Sequence, residues 1–164
     1  MASRRLITPY FAHFALQELI RRGEMDFVLG QYRHCWGWAL EGGRTTWLEV
    51  FDPRWSHCHE WSGSPTWQLS RYALGLHPRF DLNAQEGLPH FVFDLKPGSL
   101  ASCSGRIPLP GGGAVDVEWS RRDKQTTYTI STSQPLRVLF VPGHSRAEWV
   151  PVNGTARWVW DSQT

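Results

Sequence analysis

Residues 45–76 read TTWLEVFDPRWSHCHEWSGSPTWQLSRYALGL, and the reading of the fold turns on this stretch. Its last third carries a helix signal. Ser64-Pro65 is a capping residue followed by proline, and Leu69, Tyr72, Ala73 and Leu76 recur at helical spacing, with Gly75 near the end. The part before it, Arg44 to Gly63, has no sustained period and is too aromatic for a plain linker. Four tryptophans (Trp47, Trp55, Trp61, Trp67) lie among three carboxylates and two histidines. A long aperiodic connection inside a helical unit is more often functional than not.

Upstream, Thr8-Pro9 predicts a helix start, and Phe11, Phe14, Ala15, Leu19 and Ile20 recur at helical spacing until Gly23. A second helix is predicted over 26–40, with Phe27, Val28, Tyr32, Cys35, Trp36 and Ala39 on one face before Gly42-Gly43. After His77-Pro78 the character changes. Short β-branched and aromatic runs are punctuated by Pro and Gly, and strands are predicted over 90–95, 101–107, 114–120, 126–131, 136–141, 148–152 and 156–160. Val115, Val117 and Trp119 share a face, as do Tyr128 and Ile130, and Trp158 and Trp160. Turn signals at Pro110-Gly111-Gly112-Gly113 and Asn153-Gly154 complete the pattern of an antiparallel sandwich. The expectation is an α+β chain: about three helices over residues 1–77, then a small antiparallel β-sandwich over 86–164. Three helices leave an apolar face that the sandwich or another chain must cover.

The bulk numbers narrow the classes. The chain has 164 residues, 41% apolar and 20% charged, with a net charge of +2 and mixed signs along its length. That balance is no nucleic-acid footprint, and no apolar run is long enough to span a bilayer. The opening MASRRLITPYF lacks the apolar core of a signal peptide, and three scattered cysteines form no disulfide framework, so a reducing, cytoplasmic setting is expected. His57-Cys58-His59 invites a metal test. In an extended segment the two histidines share a face and Cys58 takes the other, and no Cys-x-x-Cys or His-x-x-x-His spacing occurs, so no metal and no cofactor are expected. No Gly-x-Ser-x-Gly elbow is present, and Gly111-Gly112-Gly113 lacks the Lys-Ser/Thr of a phosphate loop.

What remains is carbohydrate chemistry. The outlier in composition is aromatic content, 13% with ten tryptophans. Trp47, Trp55, Trp61 and Trp67 suit stacking on a pyranose face, while Glu49, Asp52, Arg54, His57, His59 and Glu60 would meet its hydroxyls. Glu49 lies between Trp47-Leu48 and Val50-Phe51, where a carboxylate either has a specific use or points to solvent from a half-exposed turn. Some of these tryptophans, Trp67 above all, also fit plain packing, and either histidine also fits a structural role.

The ordered motifs resemble a known family. They are Ile7-Thr8-Pro9-Tyr10-Phe11, Trp36-Gly37, Thr45-Thr46-Trp47-Leu48-Glu49-Val50-Phe51, Ser56-His57-Cys58-His59-Glu60-Trp61-Ser62, Pro65 and Ser70-Arg71-Tyr72-Ala73-Leu74-Gly75. Lys96-Pro97-Gly98-Ser99-Leu100, Gly105-Arg106-Ile107-Pro108-Leu109-Pro110 and Val115-Asp116-Val117-Glu118-Trp119 follow. Together they resemble the C-terminal region of bacterial α-L-rhamnosidases, the end of a six-hairpin (α/α) toroid plus the β-sandwich behind it. The resemblance implies an inverting glycosidase acting on terminal α-L-rhamnosides, with two carboxyls about 6.5–9.5 Å apart. It places the water-activating carboxylate at Glu49 and a sugar contact at His59; Trp47, Trp55 and Trp61, read from their chemistry as stacking rings, would complete the pocket wall. In the family's usual motif a Trp directly precedes the Glu, where this chain has Leu48. About three of twelve toroid helices are matched, and the acid-side carboxylate has no counterpart. The chain is therefore expected to be inactive alone and to need an N-terminal glycosidase fragment or self-association. The alternative is a non-catalytic carbohydrate-binding or interaction module. Neither reading calls for nucleic acid or membrane as a partner.

Overall fold

The computed structural model describes residues 8–82, 87–140 and 147–161; Ile7, the expected boundary at Glu86 and the Val141 end of one expected strand lie outside them. It is a mixed α+β chain in two compact units, which divide between Leu69 and Ser70.

In the first unit, helix α1 (Pro9–Arg21) begins behind Thr8 with Pro at its start and stops before Gly23, whose φ of 91° only glycine adopts readily. Helix α2 (Met25–Gln31) runs on through a wider π-type stretch (Tyr32–Gly37) into α3 (Trp38–Glu41), so the single predicted helix is one run with a changed winding. A 3₁₀ turn (Glu60–Gly63) leads into α4 (Ser64–Gln68), and a second π-type stretch (Leu69–Ala73) begins at the last residue of this unit and continues into the next. Apolar side chains from α1 and the α2–α3 run fill this unit's interior: Ala12, Leu16, Ile20, Val28, Tyr32, Cys35, Trp36 and Ala39. Gln68, fully buried, ties three elements together. It accepts a hydrogen bond from the Tyr32 hydroxyl and donates from Nε2 to the His13 carbonyl at 2.9 Å. With both its oxygen and its nitrogen bonded, this buried amide specifies one packing, because losing either partner strands a buried polar group.

The buried face of α1 differs from the predicted one. Pro9, Ala12, Leu16 and Ile20 point inward, while Phe11 and Phe14 are 71% and 56% exposed. Phe27 is exposed as well. Both stripes of α1 have helical period, and the spacing alone did not say which would be covered.

In the second unit, β1 (Leu76–Pro78), β2 (His90–Phe93), β3 (Ser102–Pro108), β4 (Ala114–Arg122), β5 (Gln125–Phe140) and β6 (Glu148–Asp161) form one curled sheet. The order is β1-β2-β5-β4-β3, with β6 also on β5. It is not purely antiparallel: β2 pairs with β5 in parallel, His90 against Arg137. Strands expected at 126–131 and 136–141 are one strand, as are those at 148–152 and 156–160. The ladder slips between Thr132 and Leu136, opposite Gly154 with φ of 82°. Asn153-Gly154 is thus a bend inside β6 rather than a hairpin turn, a bulge that lets both long strands curl. The glycine loop between β3 and β4 is a true turn, all three glycines having positive φ.

The curl encloses Leu74, Leu76, Phe91, Val115, Val117, Trp119, Tyr128, Ile130, Leu136, Val138, Phe140 and Val152; Val115, Val117, Trp119, Tyr128 and Ile130 are inward as their alternation predicts, while Leu76, expected at the end of a helix, lies in β1. Trp158 stacks on Phe140 at 4.5 Å. Two polar tips in this core find carbonyls: Trp119 Nε1 donates to Ala73 at 2.8 Å and the Tyr128 hydroxyl to Leu74 at 2.9 Å. Burial pushes the Tyr128 phenol well above its usual range, so it remains a donor. No helix among the described residues is long and apolar enough to cross a membrane.

Candidate functional site

The Trp-rich connection folds back on itself. The Glu49 N–H donates to the Ser56 carbonyl at 2.9 Å and the His59 N–H to the Trp47 carbonyl at 3.0 Å, while the Thr46 hydroxyl reaches the His57 carbonyl. Residues 46–49 therefore lie along 56–59, and the chain reverses through 50–55. At that reversal Arg54 grips Asp52, and the guanidinium lowers the Asp52 carboxyl to about 2. The base of the loop is anchored inward. Leu48 is 2% exposed, the buried Ser62 hydroxyl donates to its carbonyl at 2.6 Å, and Trp36 Nε1 donates to the Ser62 carbonyl at 2.7 Å. Phe51 meets the Trp36 ring edge-on at 4.8 Å.

These anchors set the predicted site residues. Glu49, next to the buried Leu48, is half-buried in the lining of an open hollow of about 260 Å³ with Thr8, Tyr10, Phe11, Val50 and Trp61. Its carboxylate has no hydrogen bond or ion pair among the described residues. Trp61 is 41% exposed, with the His59 ring 4.3 Å behind it; His59 Nδ1 is buried and without a partner among the described residues. Glu49 and Trp61 are thus brought together, with His59 against Trp61. Trp47 and Trp55 do not join them. The Trp47 ring lies 3.9 Å from where a Cβ on Gly63 would stand, and Trp55 stands 58% exposed on the reversal. His57 is turned back within the loop, its Nε2 at 2.7 Å from the Pro53 carbonyl.

A second open hollow, about 330 Å³, is lined by Tyr10, His13, Phe14, Glu60, Trp61, Gly63, Ser64 and Trp67. Trp67, expected in the packing, is 42% exposed here. Tyr10 and Trp61 line both hollows and touch edge-to-face at 5.9 Å. The contribution of α1 is not legible in the helical spacing, which places Phe11 and Phe14 on the helix's apolar face and gives Tyr10 no role. The signal lay in a helix whose apolar residues cover more than one face. Among the described residues no three His, Cys, Asp or Glu side chains gather as a metal site requires.

No family model and no curated protein matches this sequence. Among solved structures, the α-L-rhamnosidase from Dictyoglumus thermophilum is similar, with a TM-score of 0.53 over 77% of this chain at 19% identity. The chain spans 17% of that protein's length. The likeness is one of fold.

Proposed function

We propose that this chain is the C-terminal part of an α-L-rhamnosidase-like inverting glycoside hydrolase, in which Glu49 activates the water that attacks a terminal α-L-rhamnoside. The observation that carries the reading is the hollow that Glu49, whose carboxylate has no partner among the described residues, lines with Tyr10, Phe11 and Trp61. Flat rings receive the C–H face of a sugar, and a carboxylate free of protein partners is available to water. The fold likeness to part of a rhamnosidase supports the same reading. On it, the helices are the closing segment of an (α/α) toroid and the curled sheet is the sandwich that follows. An inverting site needs a second carboxyl about 6.5–9.5 Å from the first. On this reading that acid lies in the rest of the toroid, outside these 164 residues, and these residues alone are inactive.

The test is reconstitution: the chain is mixed with the product of the frame upstream of its gene and assayed on an aryl α-L-rhamnoside. Glu49→Gln in that complex should lower hydrolysis by about 10²–10⁴ while sugar binding persists. Unchanged hydrolysis would sink the assignment. A second reading, a non-catalytic carbohydrate-binding module, is favoured by two open aromatic hollows on one unit. It predicts sugar binding by the chain alone and no hydrolysis in any mixture.

A further inference from the structure

We propose that Asn153-Gly154 is a site of self-modification, at which the folded chain loses the Asn153 side-chain amide through a cyclic imide and carries aspartate or isoaspartate instead. The proposal concerns the curled sheet alone and does not depend on the sugar reading.

The sequence supplies the reacting pair, and the sheet leaves it open. Every residue of β6 faces a partner on β5 except Asn153, which falls between Val152, opposite Leu136, and Gly154, opposite Thr132. Across that gap β5 carries Ser133, Gln134 and Pro135. The Gln134 N–H donates to the Thr132 hydroxyl at 3.3 Å, the same hydroxyl donates to the Gln134 carbonyl at 2.7 Å, and Pro135 has no N–H to give. A ladder holds its peptides extended and bonded, and a bulge releases its extra residue from that hold. Asn153 and Gly154 are both exposed. Gly154 has φ of 82°, and among the described residues no atom beyond its chain neighbours lies within 4 Å of where a Cβ would stand. The space beside the Asn153 side chain is therefore clear, and the glycine backbone turns with little steric resistance.

In the first step the Gly154 amide nitrogen attacks the Asn153 Cγ. An N–Cγ bond forms, the Cγ–Nδ2 bond breaks, and the Gly154 amide proton leaves with Nδ2 as ammonia. Water then opens the imide. Attack at Cγ restores the main chain and gives aspartate, whereas attack at the main-chain carbonyl gives isoaspartate, with one carbon more in the backbone. An added carbon would disturb the register of a paired strand, but at Asn153 there is no pair to disturb.

The experiment is peptide mapping by mass spectrometry of the full chain held folded at mildly alkaline pH, beside a synthetic peptide of residues 148–158. Asn153 should convert within about tenfold of the peptide's rate, an opening cost of at most about 1.4 kcal/mol, and should give both acids. Asn83, followed by alanine, should keep its amide over the same time. Asn153→Gln should abolish the conversion, because its imide would need a larger, slower-forming ring. The converted chain should melt less than about 4 °C below the fresh one. Conversion slower than that tenfold limit would mean that the sheet holds the amide, and would overturn the proposal. Equal conversion at Asn83, or aspartate with no isoaspartate, would mark direct hydrolysis and overturn it too. A larger fall in melting temperature would refute the claim that the gap absorbs the added carbon.

Discussion

Ser62→Ala tests how Glu49 is placed. The Ser62 hydroxyl donates to the Leu48 carbonyl at 2.6 Å, and both residues are buried. Leu48 immediately precedes Glu49, so this bond pins the backbone that carries the proposed catalytic carboxylate. Deleting the hydroxyl barely changes packing but removes the donor from a buried carbonyl, a change that costs about 1–3 kcal/mol. In a domain of 60–100 residues each kcal/mol moves the melting temperature by about 4–8 °C. The first unit should therefore lose at least about 4 °C, followed by far-UV circular dichroism of helix melting. Amide exchange at Glu49 should quicken in step, because its N–H bond to the Ser56 carbonyl at 2.9 Å depends on the same loop segment. Ser56→Ala, at an exposed position of the same loop, is the control and should stay within about 0.5 kcal/mol. If Ser62→Ala is as mild as the control, the loop is not anchored through Leu48, and the account of Glu49's position fails.

Other outcomes follow from the same structure. Gly75→Ala should destabilise the second unit by about 2–4 kcal/mol in urea unfolding, since φ is 85° and a Cβ would sit 3.0 Å from the Leu95 side chain. Tyr128→Phe and Trp119→Phe should each cost about 1–3 kcal/mol by leaving the Leu74 or Ala73 carbonyl without its donor, and the double variant should depart from additivity because the two carbonyls are adjacent. Asp52, lowered to about 2 by Arg54, should titrate near that value by carboxyl NMR, and Arg54→Gln should return it toward its ordinary range. The sign is that of a depressed carboxylate: the clamp on the 50–55 reversal is complete above the ordinary aspartate value near 3.8 and is lost as pH falls through about 2.

Local signals in the chain were legible where the physics is local. Thr8-Pro9 and Gly23 mark the ends of α1 because an orphan N–H and a left-handed stop are properties of single residues. Val115, Val117 and Trp119 turn inward as their alternation requires. Non-local choices were not legible. Nothing in His90–Phe93 says that its partner is the far half of β5 or that the pairing is parallel. Asn153-Gly154 has the composition of a hairpin turn, yet it bends a strand, because the three residues between Thr132 and Leu136 in β5 absorb the slip. In the candidate site, Glu49 and Trp61 come together, but Trp47 and Trp55, two of the three tryptophans expected there, do not, since ring content says nothing about which way a loop reverses.

The two faces of α1 tie these points together. Pro9, Ala12, Leu16 and Ile20 are spent on the interior of the first unit, and with them covered an ordinary surface helix would turn polar. Instead Tyr10, Phe11 and Phe14 continue the apolar surface and remain exposed. Isolated exposed apolar residues need no cause, but these three lie beside Trp61 and Trp67 in the linings of two hollows that each contain a glutamate. Aromatic rings alone would suit a further helix, and glutamates alone would suit solvent. Side by side they suit a ligand with one apolar face and many hydroxyls, which is the ligand class of the proposed function.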